Sequence, residues 1–208
     1  MKKILIATSN KGKLNEFKAF LSSLRVEIVS LSDLKIDQSF EESGKTYKEN
    51  SQAKAKYFVK KSGLPTIADD GGIEIDYLKG APGIKSRRYF GKNGKEATDD
   101  EIIDAMHKLA QEIPDGSNGA RFVALVSFAL PTGQVWSITG QVKGIIAKKP
   151  LLKILKGYPY RSFFYLPKIK RYYHESDLTR EQEKKYNHRY IAVQKLLPVI
   201  RRELKLDA

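Results

Sequence analysis

Pro65-Thr66-Ile67-Ala68-Asp69-Asp70-Gly71-Gly72-Ile73-Glu74-Ile75-Asp76 is the stretch on which the reading of this chain turns. An apolar approach ends in two adjacent carboxylates, a glycine pair follows, and an alternating run then reads as a second strand. Paired carboxylates at a strand end repel one another and lose solvation, which is costly while both are ionised. A divalent cation relieves that cost. Hard oxygen donors with no soft ligands nearby point to Mg²⁺ rather than zinc. Neighbouring side chains on an extended backbone point to opposite faces, so one of Asp69 and Asp70 faces a site and the other serves the loop. A solvated turn built on Asp-Gly accounts for the same residues without a metal.

Upstream, Lys2 to Ala7 reads as a buried strand. Thr8-Ser9-Asn10-Lys11-Gly12-Lys13 follows as a polar glycine loop, and Leu14, Phe17, Leu21 and Leu24 then recur at helical spacing. Strand, polar loop and helix together hold phosphate through backbone N–H groups and the positive helix end. The first glycine of a P-loop and the Ser/Thr after Lys13 are absent, and an ordinary capped helix entry suits the pattern equally. Val26 to Leu31 is a second strand, and an irregular acidic stretch from Asp33 to Ser43 leads into a helix from Thr46 to Lys61. Asn50 and Lys54 share one face of that helix, as a phosphate contact or as a solvated pair.

Downstream, Ser86-Arg87-Arg88-Tyr89 offers a guanidinium to an anion. Thr98-Asp99-Asp100-Glu101 is a capping box that opens a helix with Ile102, Ile103, Met106 and Leu109 inward and His107 on the surface. Arg121 to Leu130 is the clearest strand, turned by Pro131-Thr132-Gly133 into Val135 to Ile138. Gly140 and Gly144 predict a bend or bulge before Ile146. Lys148 to Gly157 reads as a basic loop or short helix, and Phe163-Phe164-Tyr165 as a short strand. A last helical region starts at Leu178-Thr179-Arg180-Glu181, kinked or divided at Pro198. Early alternation of helices and strands with a late hairpin indicates an α/β protein with a mixed sheet.

The 208 residues suit a single domain over 1–208, with room for two lobes and an active-site cleft between them. Cysteine is absent, which removes disulfides and thiolate metal sites and fits a reducing cytoplasm. No apolar run reaches the length of a membrane span, and the short run after Met1-Lys2-Lys3 stops at Ser9-Asn10-Lys11. The formal charge of +14 favours anionic partners: nucleotides, nucleic acid or a membrane surface.

Taken together, Ala7-Thr8-Ser9-Asn10-Lys11-Gly12-Lys13 with Glu16, Glu41-Glu42-Ser43-Gly44-Lys45-Thr46-Tyr47-Lys48-Glu49-Asn50-Ser51, Ala68 to Asp76, Gly80 to Tyr89, Ala120-Arg121-Phe122 and Asn187-His188-Arg189 resemble the inosine triphosphatase family, or XTP/dITP diphosphatases. The resemblance runs from end to end in the same order. It implies an elongated mixed β-sheet flanked by helices, a homodimer, and Mg²⁺-dependent release of pyrophosphate from non-standard purine nucleoside triphosphates (ITP, dITP, XTP). On these positions it implies phosphate binding by Thr8, Ser9, Asn10, Lys11, Gly12, Lys13 and Lys54, with Gly71 beside them. Asp70 would be the catalytic carboxylate and a metal ligand, Glu42 its metal-binding partner, and His188-Arg189 the pair that reads the base, with Tyr160 placed to stack on it.

The departures from the family pattern cluster. Where Gly-Phe-Gly-Tyr-Asp-Pro is expected, the chain has Gly157-Tyr158-Pro159-Tyr160-Arg161-Ser162, preceded by Leu151 to Lys156 in place of a glycine-rich loop. Glu183 falls at the family's lysine, Gly71 at the serine after the Asp pair, and Asn187 at the serine before His-Arg. Two alternatives to the purine enzyme follow: the same reaction with shifted or relaxed base preference, and a catalytically silent basic module that binds nucleic acid. No recognised nucleic-acid motif supports the second, so neither nucleic acid nor a membrane is expected as a partner.

Overall fold

The computed structural model describes residues 1–93 and 95–206. Among these described residues seven strands form one mixed sheet: β1 (Lys2–Ile6), β2 (Val26–Ser30), β3 (Thr66–Ile75), β4 (Gly119–Ala129), β5 (Val135–Ile146), β6 (Phe164–Leu166) and β7 (Arg171–Tyr172), in the order β2-β1-β3-β4-β5-β6-β7. The described residues also form the flanking helices α1 (Lys11–Phe20), α2 (Tyr47–Ser62), α3 (Asp99–Glu112), α4 (Arg180–Tyr186) and α5 (His188–Glu203). β1 pairs in parallel with β2 and β3, whereas β5–β6 and β6–β7 are antiparallel.

The chain divides into two compact units, each built from separated segments. The first comprises Met1–Asp70, Ala124–Gly140 and the chain from Arg189 onward. Its central strand is buried on both faces. Ile4 and Ile6 pack in one cluster with Phe17 and Leu21 of α1 and Ala192, Val193, Leu196 and Ile200 of α5. Leu5 and Ala7 pack in the other, with Ala55, Phe58 and Val59 of α2. Alternate residues of one strand thus serve two helical layers, as expected where helices cover both faces of a parallel sheet. The second unit comprises Gly71–Val123 and Gln141–His188. There α3 packs its buried Ile102, Ile103, Met106 and Leu109 inward. Phe122 meets Phe164 at 4.9 Å and Tyr173 at 5.3 Å, both edge-on.

Local signals explain most element boundaries. Asn10, Thr46, Thr98 and Thr179 cap α1, α2, α3 and α4 through side-chain oxygens, and the boxes at Thr98–Glu101 and Thr179–Gln182 are complete. Gly63 ends α2 with φ +68°.

Four expectations are corrected. The expected loop at Thr8–Lys13 is shorter, since Asn10 caps the helix and α1 starts at Lys11. The Asp-Gly stretch is not a turn between two strands, because β3 runs unbroken from Thr66 to Ile75. Gly72 is required for contact: a Cβ there would lie 2.2 Å from the Gly83 carbonyl oxygen and 2.3 Å from Ser86 Oγ. In β5, Gly144 likewise marks close approach rather than interruption, with a Cβ position 2.5 Å from the Tyr165 carbonyl oxygen. Pro198 does not divide the last helix; α5 passes through it, and the break falls at extended Asn187. Leu196 and Ile200, on either side of Pro198, are fully buried, and that packing offsets the lost backbone hydrogen bond. Residues 148–157 contain no helix.

Candidate active site

In the first unit, β3, α1, α2, α5 and the irregular segment that carries Glu42 bring acidic and basic side chains together. β3 delivers Asp69 and Asp70, 1% and 5% exposed, which its apolar neighbours Ile67 and Ala68 carry into the interior. α1 contributes Lys13 from its first turn. Asn10 Oδ1 accepts from the Lys13 backbone N–H (3.1 Å), and Thr8 Oγ1 accepts from the Asn10 N–H (3.2 Å). That turn carries lysines and no carboxylate, so the positive helix end and two ammonium groups favour an anion together. α2 contributes Asn50 and Lys54 from one face.

The two aspartates are treated differently. Asp69 Oδ2 accepts from Lys13 Nζ (3.1 Å) and Arg189 Nε (2.9 Å), and the same guanidinium also holds Glu16. Burial alone would raise the Asp69 carboxyl; Lys13, Arg189 and Lys54 outweigh it and hold the group well below the ordinary carboxylate range. Its Oδ1 is buried without a hydrogen-bond partner among the described residues. Asp70 Oδ2 accepts from Asn50 Nδ2 (2.9 Å). Burial, reinforced by the charge of Glu42, pushes the Asp70 carboxyl up to about 6.

Glu42 lies in irregular chain and is placed by two contacts. Lys54 Nζ donates to its Oε1 at 2.5 Å, and Asn50 Oδ1 accepts from the Gly44 N–H at 2.7 Å, which ties the Glu42 segment to α2. A Cβ on Gly44 would lie 2.5 Å from that same Asn50 oxygen. Burial would lower the Lys54 ammonium, but Glu42 and Asp69 outweigh it and raise it. Among the described residues no group of three or more acidic or histidine side chains forms a ready metal cage. Glu42 and Asp70 are nevertheless close enough for the charge of one to raise the other. That donor set fits Mg²⁺, which binds through one or two carboxylates and completes its shell with water and substrate phosphate.

Thr8, Ser9, Asn10, Lys11, Gly12, Lys13, Glu42, Lys54, Asp70 and Arg189 belong to the first unit, and Gly71, Tyr160 and His188 to the second. Ser9 and Lys11 are exposed, while Thr8, Asn10, Gly12 and Lys13 are half-buried. Tyr160 is 5% exposed and donates its hydroxyl to the Ser86 carbonyl (2.6 Å). His188 stacks on Phe122 at 5.2 Å, and its Nδ1 shares a 2.9 Å hydrogen bond with Tyr173 Oη. The Arg161 guanidinium lies over the rings of Tyr158 (4.0 Å) and Tyr173 (4.6 Å). Sequence reasoning did not assign Asn50 to Asp70 or Arg189 to Asp69 and Glu16. Only the shared helix face of Asn50 and Lys54 hinted at the first, and the second joins positions 120 and 173 residues apart.

A parallel β-α-β start with a basic helix N-terminus beside buried carboxylates places the chain among α/β proteins with a charged, buried site. Comparison with known proteins narrows this class. The model of the Ham1 family matches residues 4–199, and the chain belongs to that family. Among its relatives is a dITP/XTP pyrophosphatase of Shigella flexneri, 36% identical over 205 residues, covering 97% of this chain and 99% of the relative. Another of the same name, from Dictyoglomus thermophilum, is 37% identical over 195 residues and covers 93% and 91%. A solved HAM1 protein from Coxiella burnetii superposes with TM-score 0.80 at 30% identity, covering 96% of this chain and 98% of that one. The resemblance read from the ordered motifs therefore led to the right family and the right fold.

Proposed function

We propose that this protein hydrolyses non-standard purine nucleoside triphosphates to the monophosphate and pyrophosphate with Mg²⁺, in the manner its dITP/XTP pyrophosphatase relatives are named for. One observation carries the reading: the buried Asp69–Asp70 pair meets Lys13 of the α1 N-terminal turn at 3.1 Å and Asn50 of α2 at 2.9 Å, with Lys54 of the same helix paired to Glu42. Lys13 and the N-terminal turn of α1 take the triphosphate oxygens, with Lys54 as a second phosphate contact. Asp70 accepts the proton of the attacking water. Asn50 fixes its second oxygen and so its orientation. Water attacks the α-phosphorus in line, the bond to the bridging oxygen breaks, and the lysines balance the charge of the departing pyrophosphate. Glu42 and Asp70 would hold Mg²⁺, which would supply charge neutralisation of the triphosphate.

A second reading concerns the base. Arg161, at the family's aspartate position, is 3% exposed and packs on Tyr173, whose hydroxyl meets His188. A site that hydrogen-bonds a base edge discriminates sharply through such groups, so replacing an acceptor by a five-donor guanidinium shifts preference. Pyrophosphate release with Mg²⁺ from inosine, xanthosine, deoxyinosine, guanosine, adenosine, uridine and cytidine triphosphates tests both readings. Preference for inosine and xanthosine supports the first. Turnover without it supports the second, and Arg161→Asp with Glu183→Lys should then restore the preference by more than the single changes add up to. Steep salt-dependent polyanion binding without turnover would reject both.

A further inference from the structure

Large apolar side chains and positive charge coincide at one loop of the second unit. Lys148-Lys149-Pro150-Leu151-Leu152-Lys153-Ile154-Leu155-Lys156 holds four lysines and no carboxylate. Leu152 is 94% exposed and Ile154 54%, and all four lysines are exposed. Lys148 pairs with Asp115, which is itself on the surface. The backbone beneath is held. Leu151 N–H donates to the Ser162 carbonyl (2.9 Å), Ser162 Oγ to the Lys153 carbonyl (2.8 Å) and Gln111 Nε2 to the Lys148 carbonyl (2.8 Å). The Tyr172 hydroxyl donates to the Lys149 carbonyl and sets the β6–β7 hairpin, with exposed Lys168, Lys170 and Arg171, beside the loop. Leu152 and Ile154 are thus displayed by an anchored backbone, where with Ile103, Leu151 and Phe163 they line the rim of an apolar groove.

We propose that this loop docks the protein on an anionic lipid bilayer, with Leu152 and Ile154 entering the headgroup–acyl boundary and the lysines resting on the headgroups. Charge and size select this occupant. A second copy would bring the same lysines against their own kind. A specific protein interface takes about 800 Å² and 20–30 residues from each partner, far more than two projecting side chains supply. A bilayer needs only a few apolar side chains beside a basic cluster, because it adapts to whatever shape is presented. Lysine stems add apolar cover while their ammonium groups stay at the surface. Leucine and isoleucine offer no flat ring on which a nucleic-acid base stacks. Docking of this kind requires no spanning segment, and no described helix is long and apolar enough to cross a membrane.

The test is co-sedimentation of the full chain with vesicles of three parts phosphatidylcholine to one part phosphatidylserine, and with phosphatidylcholine alone, at 0.1 M salt. Partitioning at least tenfold stronger to the anionic vesicles is expected. Leu152→Ser with Ile154→Ser should lower it about tenfold, and Leu152→Trp should give an emission blue shift absent from the parent, whose single tryptophan is Trp136. Circular dichroism and thermal unfolding check that each variant is folded. Undiminished binding by the Leu152/Ile154 double variant, no blue shift, or no binding to anionic vesicles would overturn the proposal. Capture of an acidic amphipathic peptide by this loop without vesicle binding would do the same, and would assign the surface to a protein partner.

Discussion

Asp69 and Asp70 are adjacent in β3, yet folding treats their charges in opposite ways. Asp69 is held ionised by Lys13 and Arg189, so its contribution to stability is present above the unfolded carboxylate range and is lost only in strong acid. Removing it strands buried cations, and Asp69→Ala should cost about 3–5 kcal/mol in urea unfolding at pH 7. Asp70 behaves in reverse. Its folded carboxyl binds protons up to about 6, against an ordinary value of 3.8. Between those values the folded state holds more protons than the unfolded one, so stability falls as pH rises through the window. The loss is about 3 kcal/mol at completion. Asp70→Asn should therefore raise the Tm of the metal-free protein by roughly 5 °C or more at pH 7.5, with little effect at pH 4, while abolishing turnover. Equal Tm values at both pH values would contradict the assigned environment. The sequence showed that two neighbouring carboxylates are costly together. It did not show which one is neutralised, because the cations come from α1 and α5, at opposite ends of the chain.

At the scale of elements, glycines and prolines were the least transparent residues. Gly72 and Gly144 read locally as breakers, whereas each lies inside an unbroken strand that another backbone segment approaches closely. A Cβ at Gly72 would sit 2.2 Å from a backbone oxygen, so Gly72→Ala should destabilise by about 2 kcal/mol or more, as overpacking does, in thermal unfolding. Pro198 misleads for a related reason. Burial on both sides carries α5 across it, and Pro198→Ala should stabilise the protein by about 1–3 kcal/mol by restoring a hydrogen bond to the Gln194 carbonyl. Helix starts were legible, because a cap is a local bargain between one side chain and the backbone beside it. The box at Thr98–Glu101 was read directly from four consecutive residues. Residues such as Asn50 were not, since Asp70 lies 20 positions away.

For the whole molecule, the order of the motifs carried more than any one of them. The parallel start, the late hairpin and the family were legible because each block is weakly informative but their sequence along the chain is not. The two-unit partition was less so: β3, β4 and β5 each contribute residues to both units, and no composition shift marks such a boundary. The charge of +14 has two local expressions, the cations around the carboxylates and the lysines of the 148–156 loop, and only the first is explained by a phosphate-rich substrate. The central claim concerns which bond of the triphosphate breaks. The most direct measurement is product stoichiometry with inosine triphosphate and Mg²⁺, resolved by ion-exchange chromatography. Cleavage at the α-phosphorus gives inosine monophosphate and pyrophosphate in equal amounts, with neither formed by Asp70→Asn. Inosine diphosphate with inorganic phosphate, or products that persist in Asp70→Asn, would contradict the account.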